Sequence, residues 1–143
     1  YVIREYAHQH YDINDWVSVA KDIVSEFGNV PFYCDSARPE HVARFVNEGL
    51  NAINANKSIM PGIEAVAKAM KQGRFKIDYE HAPRFREEIF TYVWNEQTGM
   101  PNKQMDDTQD AIRYAIYSDL QVQEQRNQSN INDRLAALKN LGF

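Results

Sequence analysis

The chain has little that would staple it, anchor it or arm it with ready-made chemistry. One cysteine stands in 143 residues, so no disulfide can close within the chain and packing alone must hold the fold. Cys34 lies inside an apolar run and reads as a small buried hydrophobe rather than a nucleophile. A lone thiol of this kind points to an intracellular setting. No apolar stretch approaches the roughly 18 residues of a membrane span, and no signal-peptide pattern is present. There is no glycine-rich phosphate loop and no serine-nucleophile motif. His8-x-His10 has half the ligands of a zinc site, but no second His/Cys pair follows at ligand spacing, which favours surface histidines. No segment repeats.

What is present describes an ordinary globular domain. Hydrophobic residues make up 43% and charged residues 25%, enough to bury a core at this length. The formal net charge of −4 argues against nonspecific coating of nucleic acid. The charge is uneven, however. Between Lys57 and Arg86, seven basic residues (Lys57, Lys68, Lys71, Arg74, Lys76, Arg84, Arg86) stand against three acids, a local +4. That stretch is either a phosphate-contacting surface or a solvated face.

Periodicity alternates between strand and helix. Tyr1–Ala7 reads as a strand, and a helix capped by Asp12 or Asn14 runs to Gly28. Val30–Cys34 is a short buried strand; Pro39 opens a helix that stops near Gly49; Leu50–Ala55 is a weaker strand. After the loop Lys57–Gly62, a helix carries Ile63, Val66, Ala67 and Met70, and Arg74–Tyr79 is another strand. Pro83 starts a helix with Phe85, Ile89, Tyr92 and Val93 inward; Thr98–Asn102 is a loop; Asp107–Leu120 is a helix. Trp16 and Trp94 fall on apolar faces and are expected in the core. Gln121–Asn130 reads as a polar linker, and Ile131–Leu141 as a last small helix with Leu135, Leu138 and Leu141 on one stripe. Two units are thus expected, a domain over 1–120 and a linker with a short helix over 121–143. The class is α/β with part of the sheet parallel. The chain opens directly on a strand, without Met, and reads as a piece of something longer.

Ligands of such sheets sit beyond the carboxyl ends of the strands, and there the apolar run ends in Asp35. A second acidic knot, Asp106-Asp107-Thr108-Gln109-Asp110, opens a helix, with Asp107 and Asp110 one turn apart. Carboxylates are what Mg²⁺ and Mn²⁺ prefer, and two such ions held by carboxylates hydrolyse phosphodiesters. Read on the residues alone, these acids serve equally as helix-capping and helix-dipole groups.

Three stretches carry a family resemblance. Asp35-Ser36-Ala37-Arg38-Pro39-Glu40, Lys57 with Gly62-Ile63, and Asp106-Asp107-x-x-Asp110-Ala111-x-Arg113-Tyr114 resemble, in order and separation, the nuclease domain of the large terminase subunit of tailed bacteriophages. The likeness spans Val2 to Tyr117. It implies a ribonuclease-H-like mixed sheet flanked by helices, N-terminally truncated. The implied activity is that of a metal-dependent DNA endonuclease that cuts concatemeric viral DNA by a two-metal route, with Mg²⁺ or Mn²⁺ as cofactor. Asp35 and Asp110 would be the metal ligands. Asp107 stands where many relatives have histidine and would join the catalytic set as a ligand or a tuning group. Asp106 and Glu5 would be supporting acids. Lys57 would contact a phosphate or remain a loop lysine; with Lys68, Lys71, Arg74 and Lys76 it would grip double-stranded DNA.

By the same resemblance the partners are an ATPase motor domain, the portal and the small terminase subunit, in the cytoplasm of a bacterial host and with no membrane role. The family's first aspartate-bearing strand precedes the one that opens here. The isolated chain is therefore expected to bind metal poorly and to cut slowly or not at all. A catalytically impaired module that docks DNA, portal or small subunit is the alternative.

Overall fold

The structure, a computed structural model, describes residues 1–102 and 105–141. Helix α1 (Ile13–Phe27) starts on a reciprocal cap. The Asp12 carboxylate accepts the N–H groups of Asn14 and Asp15 at 2.6 and 3.2 Å, while Asp15 reaches back to the Asp12 N–H at 2.9 Å. Gly28, at φ 80°, ends the helix in a backbone region costly for any side chain. Strand β1 (Phe32–Cys34), helix α2 (Pro39–Asn47) and strand β2 (Ala52–Asn54) form a parallel crossover unit, with Phe32, Tyr33 and Cys34 opposite Ala52, Ile53 and Asn54. Helices α3 (Ile59–Lys71) and α4 (Pro83–Glu88) follow. Then comes the hairpin β3 (Trp94–Asn95) and β4 (Met100–Pro101), and the chain closes with α5 (Asp107–Asn140). The class is mixed α/β with small sheets. The buried apolar residues include Val17, Ala20, Leu50, Ala55, Ala82 and Phe85; α5 packs on α3, α4 and β1.

Five expectations need correction. The predicted strands over 1–7 and 74–79 meet at a single parallel bridge, Val2 to Ile77. Past that bridge the segment is drawn toward α4: the Glu5 N–H bonds the His81 carbonyl at 2.9 Å, and its carboxylate accepts the Arg84 and Phe85 N–H groups at 2.6 and 3.0 Å. These tertiary contacts override the alternating pattern.

The helix from Pro83 stops at Glu88, where the Thr91 hydroxyl bonds the Glu88 carbonyl at 3.0 Å and β-branched and aromatic residues follow. Trp94, expected in the core, is therefore a half-exposed strand residue. The predicted 98–102 loop likewise contains β4, because Gly99 (φ 65°) turns the chain back so that Asn95 pairs with Met100. Finally, Gln121–Asn130 is neither linker nor coil: α5 runs unbroken through it to Asn140. Its Gln, Glu and Arg residues are good helix formers, no Gly or Pro interrupts 107–140, and one-turn pairs such as Gln123–Asp119 and Gln128–Asn132 lace the exposed face.

Candidate functional site

Parallel strands leave their carboxyl ends on one edge. Asp35 is one residue past the Cys34–Asn54 pair and Lys57 three past it, so the two side chains meet: the Lys57 ammonium donates to Asp35 Oδ1 at 2.7 Å. Asp35 Oδ1 also accepts the Ala37 N–H at 2.8 Å, a local turn leading into α2. The N-cap position itself belongs to Arg38, so Asp35 is not the helix cap. About half of the Asp35 side chain is exposed (49%). Its carboxyl is held below the usual range, first by the Lys57 hydrogen bond, against some burial and with help from the Ala37 N–H. The Lys57 ammonium is correspondingly raised, chiefly by Asp35, with a smaller contribution from Asp110.

Asp110 comes to the same edge from the first turn of α5. Its Oδ1 accepts the Arg113 guanidinium at 2.6 Å, and its Oδ2 lies 3.4 Å from the donating Tyr114 hydroxyl. Arg113 is buried, 4% exposed, and its other arm donates to the carbonyls of Lys57 and Ser58 at 3.0 and 3.1 Å. One guanidinium thus fixes the Asp110 carboxylate and the loop carrying Lys57. Gly62 in α3 makes room for it: a Cβ there would stand 2.6 Å from Arg113 Cγ and 2.8 Å from Cδ. The second and third sequence motifs are therefore two halves of one clamp. Tyr114 senses both acids. Its phenol is raised first by burial, then by the Asp110 and Asp35 carboxylates, against Arg113 and Lys57.

Asp35, Lys57, Asp110 and Tyr114 accordingly share one neighbourhood. Two carboxylates, from a strand end and a helix start, face a region where an ammonium already sits against one of them. That donor set suits a single hard, hydrated divalent cation, since Mg²⁺ is commonly held by one or two carboxylates plus waters and substrate phosphates. Among the described residues no group of three or more His, Cys, Asp or Glu side chains gathers for a metal, so the set does not fit a pair of ions.

The remaining site candidates lie elsewhere. Asp107 pairs with Arg84 at 2.6 Å, with its own side chain 80% exposed. Arg84 in turn donates to the fully buried Glu88 at 2.7 Å, and Glu88 also accepts the Thr108 N–H at 2.8 Å and the Thr108 hydroxyl at 2.5 Å. Asp107 and Asp110, one turn apart, therefore engage different partners. Glu5 is spent on the first turn of α4. Asp106 precedes α5, and its carbonyl accepts the Asp110 N–H at 2.8 Å. Lys68 and Lys71 occupy the last turn of α3, where the helix dipole favours cations. They are exposed, as are Arg74, which bonds Gln72, and Lys76, which lies 5.6 Å over the Tyr1 ring.

Glu88 and the roles of Gly62, Arg113 and Tyr114 were not apparent in the sequence. The available signals were the one-turn spacings Arg84–Glu88 and Asp110–Tyr114. The cradle between Gly62 and Arg113, fifty-one positions apart, has no local signature. Compared with family models, with curated proteins and with solved structures, the chain matches none.

Proposed function

We propose that this chain is a metal-dependent DNA endonuclease domain of the phage-terminase large-subunit type, with a ribonuclease-H-like fold. The observation that carries the reading is the convergence of Asp35 and Asp110 on Lys57 and Tyr114 at one edge of the molecule. Asp35 and Asp110 would hold Mg²⁺ or Mn²⁺. When bound, the cation supplies positive charge against a phosphodiester and its attacking water.

The chain's own residues do the rest. Arg113 orients Asp110 and holds the 57–58 backbone. Lys57, kept charged by Asp35, is placed to meet a phosphate oxygen. Lys68, Lys71, Arg74 and Lys76 would bind the DNA backbone without base readout, so affinity would fall steeply with salt. Asp107, engaged by Arg84, would tune the site rather than ligate. The parent protein would act in a bacterial cytoplasm beside an ATPase motor, portal and small subunit. Among the described residues no helix is long and apolar enough to cross a membrane.

The test follows Mn²⁺ binding and plasmid nicking in the wild type, Asp35→Asn and Asp110→Asn, with circular dichroism to verify folding. Weak Mn²⁺ binding in the wild type that both variants lose is expected, with any nicking lost in parallel. Equal Mn²⁺ binding in all three would make both acids structural and end the nuclease reading.

One observation favours the docking alternative. Beyond Gln123 α5 is exposed throughout, and Ile131, Leu135, Leu138 and Leu141 stand about half or more exposed along it. Such a stripe suits contact with another protein, such as portal or small subunit. Truncation after Gln123 that leaves Mn²⁺ binding intact would separate the two roles.

A further inference from the structure

A cavity of about 160 Å³ lies between α3, α4 and α5. Its apolar wall includes Ile63, Val66, Ala67 and Met70, which share one face of α3, with Phe85 of α4 and Ile112 of α5. Ala67 and Met70 are exposed, so solvent reaches the cavity from the α3 side. Every lining residue lies between Ile63 and Arg113, so neither chain end forms a wall. A space of this size holds about one six-membered ring; an apolar cavity of about 150 Å³ takes benzene.

The α5 wall carries a second, independent feature. Gln109 and Arg113, one turn apart and only 8% and 4% exposed, both line the cavity, and Gln109 Nε2 and Arg113 Nε have no acceptor. Buried donors left in this state are rare, because each has given up its bond to water. The guanidinium is not free to turn: its terminal nitrogens are committed to Asp110 and to the Lys57 and Ser58 carbonyls. Burial raises the Tyr92 phenol in the same wall and the nearby guanidinium works against it, yet Nε stays unpartnered. Turning the Gln109 carboxamide over does not balance the wall. It would at best offer its oxygen to Nε while its two N–H groups still lack an acceptor. No Asp or Glu is among the lining residues. In either orientation the wall is short of acceptors.

We propose that this cavity binds a small uncharged molecule of one ring, apolar except for a single acceptor such as a carbonyl oxygen. The oxygen faces Gln109 and Arg113, and the ring lies against α3 and α4. Each alternative leaves something unmatched. A hydrocarbon fills the space and leaves both donors bare. Water serves the donors and lies against apolar walls. An anion is disfavoured because Asp110 already balances Arg113 at 2.6 Å, so its buried charge would have no partner. A cation meets the guanidinium. Contact with the donors takes a turn of the Gln109 carboxamide, whose last torsion is soft. The inference does not depend on any metal at Asp35 and Asp110.

The probes are cyclohexanone and methylenecyclohexane, which share a shape and differ in the acceptor. Each is titrated into the ¹⁵N-labelled chain while the Gln109 side-chain amide and the Arg113 Nε–H are followed by NMR. Cyclohexanone should bind saturably and move these signals downfield; methylenecyclohexane should not move them downfield. Gln109→Met keeps the side-chain length and cannot donate. It should weaken cyclohexanone by about fivefold, the worth of one neutral hydrogen bond, and should not weaken methylenecyclohexane. Ala67→Phe, which fills the cavity from an exposed lining position, should abolish binding of both. Absence of a saturable cyclohexanone shift overturns the proposal. So does equal weakening of the two probes in Gln109→Met, or none, which would mark a plain apolar pocket. Cyclohexanone binding that survives Ala67→Phe would place the ketone elsewhere and overturn it too. If either variant fails to fold, the wild type decides: equal downfield shifts from the two probes overturn the proposal.

Discussion

Two networks of charged residues flank the start of α5, and they differ in what they leave open. Around Glu88 the acid itself is inward. The carboxylate is fully buried, Arg84 and Thr108 satisfy it, and Glu5 clamps the same turn of α4. Around Asp110 only the supporting arm is inward: Arg113 is buried, whereas Asp35 and Lys57 remain substantially exposed. The first network locks helices together. The second uses the same chemistry to hold two carboxylates and an ammonium at a surface that a ligand can reach. Acid content does not distinguish them, because each contains an acid from the Asp106–Asp110 knot. What separates them is where the central acid lies: Glu88 is fully buried, whereas Asp35 is about half exposed.

The comparison breaks most visibly at Glu88. Replacing it with alanine leaves the Thr108 N–H without its buried acceptor and the Arg84 guanidinium with Asp107 alone, a loss toward the upper end of about 1–3 kcal/mol. Urea unfolding should show it as a lower midpoint at unchanged slope. Gly62→Ala comes next. Its methyl group would meet the Arg113 stem at 2.6 Å, and overpacking of this kind costs about 1–3 kcal/mol. Unlike Glu88→Ala, it should also weaken Mn²⁺ binding, because the displaced guanidinium positions both Asp110 and the Lys57 loop.

How much of this was legible varied with the range of the interaction. The α1 cap at Asp12, the parallel β1–α2–β2 unit and the placement of Asp35 at a strand end follow from local pattern, and the structure contains each. Where a distant partner decides, local pattern failed. Glu5 looked like a strand residue and serves α4. Gln121–Asn130 looked like a linker because it is polar, yet it lacks the Gly or Pro that would end a helix already nucleated by packing. The acids of the knot were visible, but their division between Arg84 and Arg113 was not, since that depends on which cation each helix brings near.

The pH dependence should follow the same division. Burial raises the Glu88 carboxyl, but the Thr108 hydroxyl, Arg84 and the Thr108 N–H outweigh it, and the net direction is down. Asp35 is also lowered, chiefly by Lys57. Folded carboxyls below their unfolded values, about 4.3 for Glu and 3.9 for Asp, stabilise fully above those values, and the gain disappears as pH falls through the folded ones. Stability should be flat from neutrality to about pH 5 and then decline; Glu88→Gln should flatten that decline more than Asp35→Asn. At the alkaline end Tyr33 is pushed up to about 12, first by burial and then by its 3.0 Å bond to Asp119. A folded phenol above its unfolded value of about 10 gives a contribution present below pH 10 and lost as pH rises toward 12. Tyr33→Phe should remove that alkaline slope.

The smallest expected change in stability is the most informative about the open network. Asp35→Asn keeps the side-chain shape and an oxygen that can accept the Ala37 N–H, and it removes a charge paired with Lys57 where both groups meet solvent. Exposed pairs of this kind contribute little because solvent screens them, so the melting midpoint should scarcely move. If Asp35 is held at this edge for a ligand, Mn²⁺ binding should fall in the same variant while stability stays. A variant that lost stability on the scale of Glu88→Ala and kept its Mn²⁺ response would place Asp35 among the structural acids. The contrast between the two networks would then dissolve.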